Sequence, residues 1–276
     1  MTTDEAILYL RTDPQYAELI HDSYLEEDAQ ECAARFAASE EFAKVRALLD
    51  PHIRDTEVLD LGAGTGIASY ALARCGARVV YALEPDPSDV VGRGVIRRLS
   101  EGLQIRLIES VGEEIPLADE AVGLVYARQV LHHTRDLTGT LRECARVLRR
   151  GGKFFASREP VVDDEEQLRV FLNEHPVHRL AGGENAFPLA AYIDAIREAG
   201  LKLERVMGPY DTIINAFPEL KTVAEVKGFP RKMLDRKFGR AAALVASLPG
   251  VDRLVRARLN RYPTPGRLYS FLASKP

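Results

Sequence analysis

The spacing of apolar positions changes near residue 57. Before it, apolar residues such as Phe36, Val45 and Leu49 recur at helical spacing, among many Glu, Ala, Gln and Arg. After it, short runs rich in Val, Leu and Ile alternate with segments of helical periodicity. This change predicts a helical cap over residues 1–56, followed by an α/β core.

The core is predicted from a regular succession of strand-like and helix-like segments. Strands are expected at residues 57–61, 78–83, 105–108, 121–127, 153–157, 201–207 and 267–274, and helices at 67–74, 91–99, 137–148, 163–172 and 189–199. Such alternation forms right-handed crossovers and a mostly parallel sheet with helices on both faces. We therefore predict a doubly wound α/β fold, with its core at 57–207 and a final strand within 267–276. Residues 175–185 are expected to form a loop, and residues 208–266 a helical insertion.

Composition limits the classes of protein and partner. The chain has 276 residues, 46% of them hydrophobic, and a formal net charge of −4, so nothing global favours nucleic acid. Its three cysteines, at positions 32, 75 and 144, lack the paired spacing of a disulfide or zinc framework. No apolar stretch approaches the roughly 20 residues that span a bilayer, and the acidic start does not resemble a secretion signal. We expect a cytoplasmic monomer or homodimer.

Charge is unevenly distributed along the chain. Residues 1–56 contain thirteen acids and five bases, whereas residues 208–266 contain eleven bases and five acids. One interpretation is two solvated helical faces that attract each other. The other is that the basic segment recognises an anionic substrate or a membrane surface.

The most specific motif is Val-Leu-Asp-Leu-Gly-Ala-Gly-Thr-Gly at residues 58–66. An apolar strand that ends in a glycine-rich turn presents its backbone to a nucleotide at the edge of an α/β sheet. Here the third glycine comes one residue earlier than in the G-x-G-x-x-G pattern that holds a pyrophosphate. The loop therefore suits a nucleoside whose acidic end is a carboxylate. Glu84 follows Gly62 by 22 residues, a position from which a carboxylate accepts both ribose hydroxyls.

These residues resemble motifs I and II of class I S-adenosylmethionine-dependent methyltransferases. The resemblance continues through Glu-Glu-Ile-Pro-Leu at 113–117, the segment 125–133 with its His-His, and Arg-Val-Leu-Arg-Arg-Gly-Gly at 146–152. It is strongest for the small-molecule branch that includes quinone and sterol methylating enzymes. The resemblance implies a Rossmann-like, seven-stranded sheet whose last strand is antiparallel, with S-adenosylmethionine as cofactor.

The resemblance also implies roles for individual residues. Asp60 and the backbone of Gly62, Ala63, Gly64 and Gly66 would hold the methionine end of the cofactor. Glu84, followed by Pro85, would bind the ribose, the backbone of Gly112 and Glu113 would face the adenine, and Arg128 and Gln129 would line the methionine side. Two positions depart from the family pattern, because Val111 and Gly123 stand where many relatives have Asp. The first departure leaves a polar contact to the adenine amine absent or supplied by Glu113.

Methyl transfer from a sulfonium needs mainly positioning, so no strong catalytic signature is required. A base is needed only for a protonated, weakly acidic acceptor such as a sugar hydroxyl. The candidates for that role are His132, His133, Glu159 and His178.

The segment 173–185 is the second unusual stretch of the sequence. We expect His175, His178, Glu184 and Asn185 to form a substrate-binding lid, since a His-x-x-His pair in a proline-interrupted loop is only a weak metal signal. No metal is therefore predicted.

The absence of an Asn/Asp-Pro-Pro-aromatic motif and of a Pro-Cys pair argues against methylation of nucleic-acid bases. The sequence predicts methyl transfer to a small molecule, with an anionic or sugar-containing acceptor as the first expectation. A quinone-like acceptor at a membrane surface, a non-catalytic cofactor-binding regulator and, more distantly, an NAD-dependent oxidoreductase are the alternatives.

Overall fold

The computed structural model describes residues 1–182, 185–239 and 250–276. Its strands form one sheet: β1 (Glu57–Leu61), β2 (Val79–Leu83), β3 (Ile105–Ile108), β4 (Val122–Arg128), β5 (Leu148–Val161), β6 (Lys202–Met207) and β7 (Arg267–Ser274). They are ordered β3-β2-β1-β4-β5-β7-β6. Strands β1 to β5 pair in parallel, while β7 runs antiparallel to both β5 and β6. The predicted seven-stranded sheet with an antiparallel last strand is confirmed.

Helices precede the sheet, cover it and extend from one edge. They are α1 (Thr3–Thr12), α2 (Ala17–Asp22), α3 (Ala29–Ala38), α4 (Glu40–Ile53), α5 (Ile67–Arg74), α6 (Arg93–Leu99), α7 (Leu137–Val147), α8 (Glu165–Glu174), α9 (Pro176–Ala181), α10 (Leu189–Glu198), α11 (Ile213–Ala216), α12 (Val223–Phe238) and α13 (Val251–Asn260), with short 3-10 turns at Pro14–Tyr16 and Leu131–His133. None of these helices has the length and hydropathy needed to cross a bilayer.

Two hydrophobic clusters lie on opposite faces of the sheet. One joins β1, β4 and β5 to α7 and α10, with Phe154 and Tyr192 fully buried. The other joins the opposite faces of the same strands to α3, α4 and α5, and contains Phe36, Phe42 and Tyr126. The N-terminal helices α3 and α4 are thus part of the sheet's own packing, which fixes them beside the carboxyl ends of the strands.

Strand β5 is longer than the sequence predicts. Expected over 153–157, it runs from Leu148 to Val161, so Gly151 and Gly152 lie within it and do not end the preceding helix. A register shift in its pairing with β7 falls between Ala156 and Glu159. Pairing on both sides, with β4 and with β7, is a long-range effect that overrides the local turn signal of the two glycines.

The predicted loop at 175–185 is also corrected. Residues Pro176–Ala181 form helix α9, which packs against α1. Proline at the first helical position is compatible with a helix, because its missing N–H has no intrahelical partner there. The terminal amino group of Met1 donates to the Leu180 carbonyl at 3.4 Å, which ties the helix to the cap.

Arg146 links two of the motif segments noted in the sequence. From α7, its guanidinium donates to the carbonyls of Leu117 and Ile115 at 2.7 and 2.8 Å, and it pairs with Glu143 at 2.7 Å. Glu143 in turn accepts from the Ile115 N–H at 3.0 Å. The pair satisfies the backbone polar groups of a segment that has no regular secondary structure.

We predict that Arg146→Met lowers the free energy of unfolding by about 2 kcal/mol, because it leaves several backbone and carboxylate groups without a donor. Arg150→Met is the matched control, since the Arg150 side chain is 82% exposed and its ion pair with Glu120 is long, at 3.9 Å. The control should change stability by less than about 0.5 kcal/mol. Urea unfolding followed by circular dichroism measures both, and equal effects would contradict the prediction.

Candidate active site

The carboxyl ends of four neighbouring strands and the loops after them surround a small cavity. Its volume is about 100 Å³. It is lined by Leu61, Gly62, Leu83, Pro85, Val111, Gly112, Glu113, Val130, His133 and Thr134. Ligands bind at this edge in open α/β sheets, and four of the predicted cofactor-binding residues meet here.

The glycine loop follows β1 with a left-handed backbone. Gly62, Gly64 and Gly66 have φ values of +61°, +54° and +81°. A Cβ on Gly62 would lie 2.0 Å from Cγ2 of Val130, so only glycine fits against the loop after β4. A Cβ on Gly64 would meet no atom within 4 Å, so the loop has free space on that side.

Glu84 holds this loop in place from the end of β2. Its Oε2 accepts from the N–H of Gly64 at 2.7 Å, and its Oε1 accepts from the N–H of Asp86 at 2.9 Å. Burial raises the pKa of Glu84 above its ordinary value, although the two backbone donors oppose that shift. The carboxylate of Glu84 therefore supports the glycine loop directly.

Asp60 lies one layer deeper than the loop. It is almost fully buried, and its Oδ2 accepts from the hydroxyl of Ser69 on α5 at 2.6 Å. Burial raises the pKa of Asp60 to about 7. In this geometry Asp60 braces the helix that follows the glycine loop.

From the sequence we expect Glu159 to face the methyl acceptor. In the structure its side chain instead contacts the turn after β4. Its side chain is fully buried, and it accepts from the backbone N–H groups of Val130, Leu131 and His132 at 3.0, 3.1 and 3.3 Å. Oε2 of Glu159, which accepts from the His132 N–H, also lies 2.9 Å from Nδ1 of the His132 ring. Glu159 thus caps the turn after β4 and orients His132, so it is a positioning residue. The sequence placed it at the end of a strand that in fact continues to Val161.

The remaining residues of this edge divide into those that line the cavity and those that shape it. His133 is exposed, lines the cavity and packs against His132 with ring centroids 4.1 Å apart. Glu113 also lines it, but its Oε1 accepts from the N–H groups of Arg135 and Asp136 at 2.8 and 3.2 Å. Val111 is 44% exposed at the same wall, which gives the cavity an apolar surface.

A buried charge network joins the ends of β4 and β5 to α4, and its acidic member, Glu41, was not among the residues singled out from the sequence. Arg128, at the end of β4, makes a two-pronged ion pair with Glu41 of α4 at 2.8 and 3.2 Å. Arg158 lies 3.9 Å from Glu41 and donates to the carbonyls of Ile214 and Phe217 at 2.7 Å each. Burial would raise the pKa of Glu41, but the two guanidinium groups outweigh it and lower that pKa.

The backbone conformation at the ends of β4 and β5 positions the side chains of this charge network. Gln129 and Arg158 both have positive φ, +54° and +62°, and the Gln129 N–H donates to the Ser157 carbonyl at 2.9 Å. The side-chain amide oxygen of Gln129 accepts from Arg128 at 3.1 Å. Arg128, expected from the sequence to line the methionine side together with Gln129, joins the edge of the sheet to the cap through Glu41.

Two aromatic rings, those of Tyr24 and Phe217, pack beside this charge network. Tyr24 is buried and stacks on Phe217 with centroids 6.4 Å apart, and the guanidinium of Arg128 lies 5.9 Å from the Tyr24 ring centre. Burial raises the pKa of Tyr24, so it is neutral at physiological pH.

A larger cavity of about 570 Å³ opens next to this network, between the cap and the start of the insertion. It is lined by Glu18, His21, Asp22, Tyr24, Arg35, Ala38, Ser39, Glu40, Glu41, Ile213, Phe217 and Lys221. Lys221 pairs with Asp22 and with Glu18, and the Val223 N–H donates to Glu40. The acidic cap and the basic insertion therefore contact each other, as one of the two interpretations of the charge pattern predicts.

Two residues of the predicted lid, His175 and His178, lie away from both cavities. His175 and His178 belong to the segment around α9, where their rings stack at 4.1 Å and His178 meets the ring of Phe171. Neither histidine lines either cavity. Glu184 is outside the described residues, and those residues contain no cluster of three or more His, Cys, Asp or Glu side chains suited to a metal.

We predict that Asp60 makes stability depend on pH. Because its pKa in the folded state, about 7, exceeds its ordinary value of 3.8, folding favours the protonated form. The stability that Asp60 contributes to the folded state is therefore fully present below about pH 4 and is lost as the pH rises through 7. Asp60→Asn keeps an acceptor for Ser69 and removes the charge, so its stability relative to the wild type should rise by about 2 kcal/mol between pH 5 and pH 8.

Urea unfolding without ligand at both pH values measures this difference. Asp194→Asn, at an exposed site on α10 with a long 3.8 Å ion pair, is the control and should show no such trend. Parallel behaviour of the wild type and Asp60→Asn across this range would refute the prediction.

Known proteins resemble this chain over the same region. A family model described as a methyltransferase domain matches residues 59–156. The ubiquinone biosynthesis O-methyltransferase of Xanthomonas axonopodis pv. citri is 33% identical over 175 residues, which are 59% of this chain and 69% of that protein. The dimethylglycine N-methyltransferase of Parasynechococcus marenigrum is 35% identical over 123 residues, and the chain spans only 43% of its length.

A solved structure extends the likeness of fold to the whole chain. A protein from Galdieria sulphuraria, provisionally assigned as a sarcosine dimethylglycine methyltransferase, has a TM-score of 0.59 and 19% identity, covering 99% of this chain and 98% of its own. The glycine loop and the strand order agree with these similarities. The chain therefore belongs to the class I S-adenosylmethionine-dependent methyltransferases.

Proposed function

We propose that the enzyme transfers the methyl group of S-adenosylmethionine to a small molecule bound in the larger cavity. The observation that carries this proposal is the position of that cavity. It shares Glu41 with the network at the ends of β4 and β5, and its volume of about 570 Å³ is typical of small-ligand pockets. Cap helices and the start of the insertion close it on two sides, which suits a metabolite better than a macromolecule.

Four of the cofactor residues proposed from the sequence line the smaller cavity, and we place the nucleoside of the cofactor along this edge of the sheet. Glu84 would accept the ribose hydroxyls, the open side of Gly64 would face the ligand, and Val111 would offer an apolar surface to the adenine ring. When bound, S-adenosylmethionine supplies a methyl group already activated by the positive sulfur. The protein's task is then to align the acceptor and exclude water.

The lining of the larger cavity favours a neutral or cationic acceptor. It contains four carboxylates but only two cationic side chains, and both cations are already paired with carboxylates. Glu41 is compensated by Arg128 and Arg158, but an anionic acceptor, part of the first expectation from the sequence, would find no lysine or arginine in the lining that is not already paired.

A base for a hydroxyl acceptor is available in the same cavity. His21 lines it, and its Nδ1 lies 3.4 Å from the carboxylate of Asp22. We place proton removal on Nε2 of His21, because His178 is remote and His132 is held by Glu159. His133 remains a candidate at the smaller cavity, which it lines.

The names of the relatives leave the methylated atom open, since one is an O-methyltransferase and another an N-methyltransferase. A lipophilic, quinone-like acceptor is the second candidate. It is favoured by the exposed basic and apolar surface of α12 and α13, which is described below.

We expect Glu84→Gln to weaken binding of S-adenosylhomocysteine at least about tenfold. One of its two backbone donors would face an amide nitrogen that cannot accept, so the glycine loop would lose its support. Isothermal titration calorimetry measures the affinity, with NAD as the negative ligand. Glu101→Gln, at an exposed carboxylate, is the matched control. Unchanged affinity in Glu84→Gln would remove Glu84 from the cofactor site.

We expect Ala38→Trp to block binding of the methyl acceptor without changing the affinity for the cofactor. Ala38 lines the larger cavity, and an indole there would fill part of it. Tritium transfer from labelled S-adenosylmethionine to a small-molecule fraction of cell extract should fall more than about tenfold, while affinity for S-adenosylhomocysteine stays within about twofold. Ala34→Trp, one turn earlier on α3 and exposed, is the control. Equal transfer by both variants would show that the acceptor binds elsewhere.

A further inference from the structure

The helices α12 and α13 carry an unusual surface on their outer faces. Eight cationic side chains of these helices and the residue after them are exposed: Lys227, Arg231, Lys232, Arg236, Lys237, Arg253, Arg258 and Arg261. We call this set the basic face. The exposed acids of the same helices are Glu225 and Asp235, while Asp252 is half-buried and pairs with Arg256.

The cations of the basic face make no ion pair within the described residues. Exposed arginines elsewhere do pair with acids, as Arg54 does with Asp50 and Arg169 with Glu166. Lys221, just before α12, is likewise paired. The charge of the basic face is therefore available to an external anion, although the whole chain has a formal net charge of −4.

Large apolar side chains stand among these cations. Leu254 and Tyr262 are 73% and 71% exposed, and Phe238, at the end of α12, is 64% exposed. With Ala257, Arg258, Arg261 and Pro263, Leu254 and Tyr262 line an open groove of about 440 Å³. Positions 254, 257, 258, 261 and 262 follow the spacing of one helical face, so cations and apolar groups alternate on a single outer surface.

The inner faces of the two helices are packed. Val226 and Phe229 of α12 are buried in a small hydrophobic cluster with Ile213, and the half-buried Leu259 of α13 packs against it. Arg256 joins the helices by donating to the carbonyls of Tyr210 and Val226. The outer groups are thus held on a fixed pair of helices, and folding does not require them to be covered.

We propose that the basic face and its apolar residues dock the enzyme on a membrane surface that contains anionic lipids. Cations attract the headgroups, while Leu254, Tyr262 and Phe238 enter the boundary between headgroups and acyl chains. A nucleic acid would use the cations but would gain nothing from an exposed leucine. The inference goes beyond the proposed function, since it holds for any acceptor.

Docking would also bear on access to the larger cavity. Ile213, Phe217 and Lys221 line that cavity, and α12 begins two residues after Lys221. The same insertion therefore forms the cavity wall and the membrane-facing surface.

Sedimentation of the full chain with lipid vesicles tests the proposal. We expect binding to vesicles of phosphatidylcholine with phosphatidylglycerol and none to phosphatidylcholine alone. Arg258→Gln with Arg261→Gln should lower partitioning roughly 25-fold, about fivefold for each cation. Leu254→Ser with Tyr262→Ser should also lower it, because apolar insertion is lost. Arg74→Gln with Arg142→Gln removes two exposed cations outside the basic face and should leave binding unchanged.

Several outcomes would overturn the proposal. They are absence of binding to the anionic vesicles, equal losses in the control and the Arg258/Arg261 variant, or no effect of the Leu254/Tyr262 variant. Preference for duplex DNA over the vesicles in a competition assay would assign the surface to nucleic acid instead. The substituted residues lie outside both cavities of the active site, so affinity for S-adenosylhomocysteine separates failure of docking from failure of the proposed function.

Discussion

The carboxylate of Glu41 is buried between the guanidinium groups of Arg128 and Arg158. A buried charge left without its partner costs several kcal/mol, so these groups hold three distant parts of the chain together. Glu41 comes from the cap, Arg128 from β4 and Arg158 from β5, while Arg158 also fixes the carbonyls of the insertion. Glu41 also lines the larger cavity, so the same charge that joins the cap to the strand ends forms part of that cavity's wall.

Three carboxylates at the edge of the sheet accept hydrogen bonds from the backbone of the neighbouring loops. Glu84 supports the glycine loop, Glu113 the turn before α7 and Glu159 the turn after β4. Each accepts from backbone N–H groups that lack a partner in regular secondary structure. Loops that must approach a ligand closely are thereby made rigid without covering the space that the ligand needs. Of these three, Glu84 is the one that accepts from the glycine loop itself, through the N–H of Gly64.

The sheet could be predicted from the sequence because its information is local. Runs such as 57–61 and 267–274 alternate with helical segments, and the glycine spacing is contained within nine residues. The length of β5 could not be predicted from the sequence, because it depends on pairing with β7, which lies more than a hundred residues away along the chain. Glu41 was missed for the same reason, since 87 residues separate it from Arg128. Glu159 was placed at this edge of the sheet from the sequence, but its contacts depend on where the turn at 130–132 folds back.

The separation of charge between the cap and the insertion makes the molecule an electric dipole. At physiological salt the Debye length is about 8 Å, shorter than the molecule, so a charged body nearby responds to the face turned towards it and not to the net charge. A chain with a formal net charge of −4 can therefore approach a negative body in one orientation and be repelled in the opposite one. The electrostatic field therefore favours encounters in one orientation before any contact forms, and added salt would remove this preference.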